Sequence, residues 1–137
     1  MAYWLYKTEP STWSWDDQVK AGGKGTQWTG VRNHQAKANL KAMQKGDQGF
    51  FYHTGDEKAV VGIVEVTKTY YPDPTDKSGM FGMVDLKAVK ALKRPVTLAE
   101  IKAEPRLKGM VLVNNSRLSV QPVSDAEWTL VGKLGGV

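Results

Sequence analysis

Apolar residues follow two different spacings along this chain, and the two-residue spacing marks the predicted strands. Residues 2–7 carry aromatic and aliphatic side chains on both faces, which is typical of a strand buried on both sides. From residue 83 apolar and polar positions alternate, as expected when one face of a strand packs on a core. The turn residues Gly55 and Asp56 separate two stretches rich in Val, Phe and Tyr. Strands are therefore predicted over residues 2–7, 47–54, 58–71, 83–92 and 118–123.

The wider spacing, together with capping residues, predicts the first two helices. Asn33 is a good N-cap for a helix from His34 to Lys45, and Gly46 would end it. Its apolar residues recur on one helical face at Ala36, Leu40 and Met43. A shorter helix is predicted from a Ser14 cap to about Ala21, with acidic residues in its first turn that favour a helix N-terminus.

Two later helices begin with complete capping signals. In each, a Ser or Thr is followed three residues later by Glu, so that the side chain of each residue can accept a hydrogen bond from the backbone N–H of the other. Apolar residues flank both boxes and can form a hydrophobic staple. The boxes are Thr97 with Glu100 and Ser124 with Glu127, and the staples are Val96 with Ile101 and Val123 with Trp128.

The order of these elements predicts the fold class. Several strands follow one another directly, with helices before and after them, which favours an α+β fold around a curled, mainly antiparallel sheet over a doubly wound parallel one. The glycines at 22, 23 and 25 indicate a loop after the first helix and not a hinge. Residues 1–137 are therefore expected to form a single domain, which is long enough to bury a sizeable core.

Composition narrows the function classes. With no cysteine, disulfides, Cys-based zinc sites and thiol catalysis are excluded, and two histidines are too few for a typical His-based metal site. Phosphate-loop, dinucleotide and nucleophile-elbow motifs are absent, so no catalytic residue, metal or cofactor is predicted. The N-terminus has neither a basic leader nor a long apolar run, and no stretch is apolar enough to span a membrane. A cytoplasmic location, with no membrane partner, is the expectation.

The charge balance adds a modest preference for polyanions. Nineteen basic against fourteen acidic residues give a net charge of +5 and a pI near 9.4. Phosphate contacts by Lys and Arg supply sequence-independent affinity for nucleic acid, although many basic proteins bind none. Lys37, Lys41 and Lys45 recur on one side of the second predicted helix, where they form either a phosphate-tracking stripe or an ordinary solvated face.

The segment Trp28 to Asn33 is the main candidate for chemistry. Trp28 offers a flat surface for base stacking, and Gly30 permits close approach of a ligand to the backbone. The helix that follows presents free N–H groups and a partial positive charge, to which Arg32 adds a fixed cation. The alternative is a core Trp beside a helix cap, and for an isolated Trp and Asn that interpretation has the higher prior.

Three further polar clusters each admit a binding and a structural interpretation. Lys7, Thr8 and Glu9 end the first strand just before Pro10. Alternation along the strand that holds Tyr52 and His53 places these two side chains on opposite faces. The segment from Tyr70 to Pro74 is either a second pocket wall or a rigid turn.

Taken together, these segments make the chain resemble the EVE domain family. The matching pieces, in family order, are Tyr3–Pro10, Trp28–Asn33, Phe51–Thr54, Val61–Val66, Tyr71–Pro74 and Ser116–Val123. Each piece is weak, whereas the set is specific and spans nearly the whole chain. Thr8 and Thr54 stand where the family more often has Ser, which keeps the hydroxyl and adds a methyl.

The resemblance implies a PUA-like pseudo-barrel, related to the YTH domains that read N6-methyladenosine in RNA. It also implies a nucleic-acid partner, DNA or RNA, with a modified base, notably a modified cytosine, held in an aromatic pocket. The implied base-binding set is Lys7, Thr8, Glu9, Trp28, Gly30, Val31, Arg32, Asn33, Tyr52, His53, Tyr71, Arg117 and Ser119, with Lys37 and Lys41 on phosphates.

Three functions are therefore compared: a non-catalytic reader of modified nucleic acid, an enzyme acting on a modified nucleotide with Glu9 as acid or base, and a small-ligand sensor or protein-interaction module. The first is preferred because the chain carries stacking and cationic groups without a catalytic motif. A monomer is expected.

Overall fold

Six strands form one sheet in the computed structural model, which describes all 137 residues. Their bounds are β1 Tyr3–Thr8, β2 Thr26–Gln27, β3 Gln48–His53, β4 Ala59–Pro72, β5 Gly82–Thr97 and β6 Val120–Val123. The order across the sheet is β2-β5-β4-β3-β1-β6. Every neighbouring pair is antiparallel except β1 with β3, which run parallel, so the sheet is mixed and mainly antiparallel as predicted.

The parallel pair follows from the length of its connection. Parallel neighbours need a crossover and cannot be joined by a hairpin. The chain between β1 and β3 is long enough to supply one, since it contains two helices and the short strand β2. As a result, the C-terminal ends of β1 and β3 lie side by side, with Thr8 opposite His53.

Five α-helices pack around the sheet: α1 Trp15–Lys20, α2 His34–Ala42, α3 Leu98–Ala103, α4 Val111–Asn114 and α5 Asp125–Leu134. The predicted caps are confirmed. Asn33 accepts the Ala36 N–H, and both predicted capping boxes are formed, as is a third at Ser14. The predicted end of α2 at Lys45 is wrong, because the helix ends at Ala42. The carboxylate of Asp47 accepts the Gln44 N–H and turns the chain into β3.

The sequence patterns did not predict two short elements, and they predicted one strand that is too short. Strand β2 has only two residues, and α4 has four, so neither shows a repeat period. Strand β5 continues past the predicted end at Leu92 to Thr97 because irregular pairing with β4 lets the strand bend and still pair Val96 with Val60. None of the helices is long and apolar enough to cross a membrane.

Both faces of the sheet are covered, which confirms the prediction that β1 is buried on both sides. On one face Trp4, Tyr6 and Phe51 pack with α1 and α2. On the other face Leu5 and Phe50 pack with α3, α4 and α5. The first of these faces, with Trp28 and Trp15 in its core, leads to the site described below.

A bulge in β4 seats α1 on the sheet. Val61 is left unpaired where the register of β4 with β3 shifts, and Gly62 faces the indole of Trp15. A Cβ at Gly62 would lie 2.5 Å from ring atoms of Trp15. The glycine therefore allows α1 to approach the strand closely.

Gly62→Ala is expected to lower the free energy of unfolding by about 1–3 kcal/mol, since the added carbon overpacks the contact with Trp15. Gly23→Ala is the control, because nothing lies within 4 Å of a Cβ there. Urea unfolding of both variants checks this expectation. Equal stabilities of the two variants would contradict the assigned role of Gly62.

Candidate functional site

A cavity of about 470 Å³ opens where β1 ends and lies within the size range of roughly 300–1,000 Å³ of small-molecule sites. The lining residues come from the end of β1, the turn before α1, the segment from β2 towards α2, and the chain before β6. They are Lys7, Thr8, Thr12, Trp13, Thr26, Gln27, Trp28, Thr29, Gly30, Val31 and Ser119. Six of the predicted base-binding residues are thus brought together: Lys7, Thr8, Trp28, Gly30, Val31 and Ser119.

Two tryptophans give the cavity its aromatic character. Trp28 is only 8% exposed and packs edge-on against Tyr6 and Phe51, at ring-centroid distances of 5.6 and 5.8 Å. It is therefore a core residue that also lines the cavity, and its role in base stacking stays a prediction. Trp13 is half-buried and was not predicted. No motif or spacing in the sequence distinguishes it from the other tryptophans.

Trp13 is fixed by neighbours that bind its ring and its backbone. Its indole Nε1–H donates to Oε1 of the buried Gln18 at 2.9 Å. Its carbonyl accepts the hydroxyl proton of Thr8 at 2.9 Å. Both the ring and the main chain of Trp13 are thus held by side chains, which preorganises this wall of the cavity.

Lys7 contributes the cation nearest to the cavity. Its Nζ donates to the carbonyl of Ser116 and lies 5.7 Å from the centroid of the Tyr52 ring. Burial lowers the pKa of this ammonium below its ordinary value, because a charge is less stable away from water. Two of its three N–H protons remain for other acceptors.

Asp73 connects Gly30, at the rim of the cavity, to the turn after β4. Its carboxylate accepts the Gly30 N–H at 2.9 Å and an Arg32 guanidinium proton at 3.1 Å. It also accepts the N–H and the hydroxyl of Thr75. Burial alone would raise the pKa of Asp73, but these hydrogen bonds outweigh it and lower the pKa from 3.8 to about 2. In the sequence this aspartate is marked only as part of a turn.

Three predicted base-binding residues are neighbours in sequence of residues that line the cavity but do not line it themselves. Arg32 is engaged with Asp73 and Thr75, on the outer side of the rim. Asn33 is the N-cap of α2, where its side chain accepts the Ala36 N–H. Glu9 is exposed and accepts the hydroxyl of Thr54, outside the lining residues.

His53 and Tyr52 have structural contacts in place of the expected pocket contacts. His53 Nε2 accepts the Trp15 N–H at 3.0 Å, and Nδ1 lies 2.7 Å from Glu57 Oε1. Since a backbone N–H can only donate, the imidazole proton must be on Nδ1. Tyr52 belongs to the core on the opposite face of the sheet from Trp28. Strand alternation places Tyr52 on the other face from its neighbour Phe51, which packs on Trp28, and Tyr52 does not line the cavity.

Tyr71 and Arg117 also lie outside the lining. The Tyr71 hydroxyl donates to Asp85 at 2.5 Å, and Lys68 Nζ is 3.7 Å from the centroid of its ring. Burial, followed by the bond to Asp85, raises the pKa of Tyr71. Arg117 is exposed.

The lysines of α2 lie over aromatic rings of the β4–β5 hairpin. Lys37 Nζ is 5.7 Å from the centroid of Phe81, and Lys41 Nζ is 5.8 Å from that of Tyr70. Arg32 lies 6.0 Å from the same Phe81 ring. Lys45 follows the end of the helix, so the predicted three-lysine stripe is reduced to two. We call the surface of Arg32, Lys37, Lys41, Tyr70 and Phe81 the basic-aromatic face.

Groups of three or more side chains able to hold a metal ion are absent from the chain. The polar side chains at the cavity are instead hydroxyls, the Gln27 amide and one ammonium, which are able to form hydrogen bonds to an uncharged or anionic ligand.

The fold and the cavity define the class of this protein: a PUA-like α+β domain with a ligand-sized pocket at the end of its first strand. The sequence profile of the EVE domain matches residues 2–134. The chain belongs to the EVE domain family.

Relatives in sequence and structure agree with this assignment. Thymocyte nuclear protein 1 of Gallus gallus is 34% identical over 161 residues, covering 94% of this chain and 66% of that protein. The NMR structure of Rpa0253 from Rhodopseudomonas palustris is 60% identical with a TM-score of 0.94, covering 99% of this chain and 94% of that one. This chain therefore spans slightly less than two thirds of the chicken relative.

The structure of a human relative has been solved with DNA. The crystal structure of human THYN1 in complex with 5-methylcytosine-containing DNA is 34% identical to this chain, with a TM-score of 0.90. The match covers 100% of this chain and 99% of that one.

Asp73→Asn is expected to destabilise the fold by about 1.5–3 kcal/mol, because it removes charge-assisted hydrogen bonds to Gly30 and Arg32. The folded pKa is depressed, so the wild-type advantage is fully present above pH 3.8 and shrinks as pH falls towards about 2. Unfolding curves at pH values on both sides of these two limits measure the effect.

Asp56→Asn is the matched control, since that side chain is exposed in the turn before β4 and its carboxylate accepts no hydrogen bond within the protein. An equal loss in both variants, or a pH-independent difference for Asp73→Asn, would show that Asp73 does not hold the rim.

Proposed function

We propose that this domain is a non-catalytic reader of modified nucleic acid, which takes an extruded base into the cavity between Trp13 and Trp28. The observation that carries the proposal is the human THYN1 complex with 5-methylcytosine-containing DNA, a full-length structural match to this chain. A modified cytosine in DNA is accordingly the leading candidate, and a modified RNA base is the second.

The physical chemistry of the cavity supports this choice. Stacking of a base on an aromatic wall is worth about 1–3 kcal/mol. A methyl group that fills apolar space near the indoles adds ~0.8 kcal/mol for each buried carbon. Extrusion of a base costs a few kcal/mol and costs least from single-stranded or mismatched sites. We therefore expect a modest preference for the modified base on top of a larger affinity for the polymer.

The basic-aromatic face would supply that larger affinity. It adjoins the rim of the cavity, because Arg32 belongs to both and is held by Asp73. Helix α2 contains lysines and no acidic residue. Phosphates that flank the extruded base would be bound by Lys37 and Lys41, which their aromatic neighbours hold at the surface.

The enzyme hypothesis has less support. Glu9, the acid or base it requires, is exposed, bonded to Thr54 and outside the lining of the cavity. The lining itself offers hydroxyls, the Gln27 amide and one lysine, without a base paired to a nucleophile. The third hypothesis, a sensor of free nucleotides, would use the same cavity. It differs from a reader of nucleic acid in binding a mononucleotide as tightly as an oligonucleotide.

Binding to DNA oligonucleotides that carry cytosine or 5-methylcytosine tests the reader. We expect tighter binding of the methylated strand by about threefold to tenfold, because one buried methyl contributes ~0.8 kcal/mol or a little more. Fluorescence anisotropy on single-stranded and duplex DNA and RNA measures this. Equal affinity for a free mononucleotide and the oligonucleotides would favour the sensor instead.

Trp13→Ala should weaken this binding by about tenfold or more, since it removes a stacking wall. Trp28→Ala is a less selective test because Trp28 is also part of the core. Trp128→Ala is the control, as this indole stacks on Tyr3 and Phe50 on the other face of the sheet. Unchanged binding by a folded Trp13→Ala variant would refute the position of the base.

The logarithm of the association constant falls linearly with the logarithm of the salt concentration. Replacing Lys37 and Lys41 by Gln should make this fall less steep by about 0.7–0.9 for each phosphate that the variant no longer binds. The paired control is Lys102→Gln with Lys133→Gln, which removes the same charge from helices α3 and α5 on the other face. Titrations at several salt concentrations give the slopes. Identical slopes for the two double variants would exclude the basic-aromatic face as the phosphate site.

A further inference from the structure

Gln18 is a fully buried polar residue that holds Trp13 and also bonds to a second residue of the cavity. It lies on α1 with 0% of its surface exposed. Its side chain makes three hydrogen bonds: Oε1 accepts from Trp13 Nε1 at 2.9 Å, and Nε2 donates to the Leu86 carbonyl and to Thr26 Oγ1, each at 3.1 Å. Trp13 and Thr26 both line the cavity.

The orientation of this amide is forced by its neighbours. An indole N–H can only donate, so the group facing Trp13 must be the Gln18 oxygen. A backbone carbonyl can only accept, so the group facing Leu86 must be the NH₂. The flipped amide would place two donors together at one end and two acceptors at the other, and it would leave buried groups unsatisfied.

The forced orientation determines the role of the Thr26 hydroxyl. The second proton of the Gln18 NH₂ points at Thr26 Oγ1, which therefore accepts. Its own hydroxyl proton has no acceptor among the hydrogen bonds of the protein, and because Thr26 lines the cavity this proton is available to a ligand there. Thr8 is suited to the opposite role, that of acceptor, because its hydroxyl donates its proton to the Trp13 carbonyl and its lone pairs remain free.

We infer that Gln18 is a positioning residue that, by donating to one lone pair of Thr26 Oγ1, turns the Thr26 hydroxyl proton towards the cavity and so favours bases with an acceptor at that place. The inference rests on the proposed function and deepens it. Gln18 does not touch the ligand. It acts through Thr26, whose proton it directs, and through Trp13, whose indole it holds.

Cytosine has two acceptors that such a donor can reach, the ring nitrogen N3 and the O2 carbonyl oxygen. Two 5-methylcytosine analogues, one lacking N3 and one lacking O2, therefore probe the contact within the same oligonucleotide. Wild-type protein should bind at least one analogue about threefold to tenfold more weakly than the parent base, which is the range of one hydrogen bond. We call this loss the analogue penalty.

Four variants then separate positioning from stability. Thr26→Val removes the hydroxyl at constant shape and should abolish the analogue penalty, whereas Thr26→Ser should keep it. Gln18→Met should lower it, although Thr26 is intact, because the hydroxyl proton is no longer held in one orientation. Ile101→Val is the control for stability, since it lies in the core on the other face of the sheet and should lower stability without changing the penalty.

The outcomes distinguish the two proposals. If wild-type protein binds the methylated strand but the penalty persists in Thr26→Val, the inference about Gln18 fails while the reader function stands. If the penalty is lost in Thr26→Val and kept in a folded Gln18→Met variant, Thr26 reads the base without help from Gln18, which also overturns the inference. No binding by wild-type protein to any oligonucleotide overturns the proposed function and this specificity role together.

Discussion

Burial of β1 on both faces is the constraint on which the rest of the site depends. Leu5 and Tyr6 are fully buried on opposite faces, so no polar ligand can reach the middle of this strand. Beyond them, Lys7 and Thr8 are partly exposed at the end of the strand. Because β1 and β3 are parallel, the ends of two central strands meet at this edge. The cavity opens at the place where the buried core first permits polar side chains.

Two buried polar side chains then hold the walls of that cavity. Gln18 connects the turn before α1 to β2, and Asp73 connects the rim at Gly30 to the β4–β5 hairpin. Each is fully or almost fully buried, and each has its polar atoms engaged. A buried polar group without partners is costly, so such networks permit few alternative arrangements. The walls are therefore held in place before a ligand arrives.

The distribution of charge follows from the same architecture. Helix α2 begins at the rim, so its lysines extend from the cavity over the hairpin rings of Tyr70 and Phe81. A polar, indole-lined cavity lies beside a cationic, aromatic surface. In the proposed function, the cavity would supply discrimination through stacking and single hydrogen bonds, and the surface would supply affinity that salt weakens.

The sequence by itself determined the longer elements and the family, because caps such as Asn33 and alternation along β5 are local signals. It also indicated Trp28 and the end of β1, which the structure brings together at the cavity. Only the tertiary structure decided which side chains share the cavity. Tyr52 is directed to the other face by strand alternation, and His53 is occupied by α1. Trp13, Thr26 and Gln18 converge through contacts between segments with no repeat period, so sequence patterns carried no sign of them.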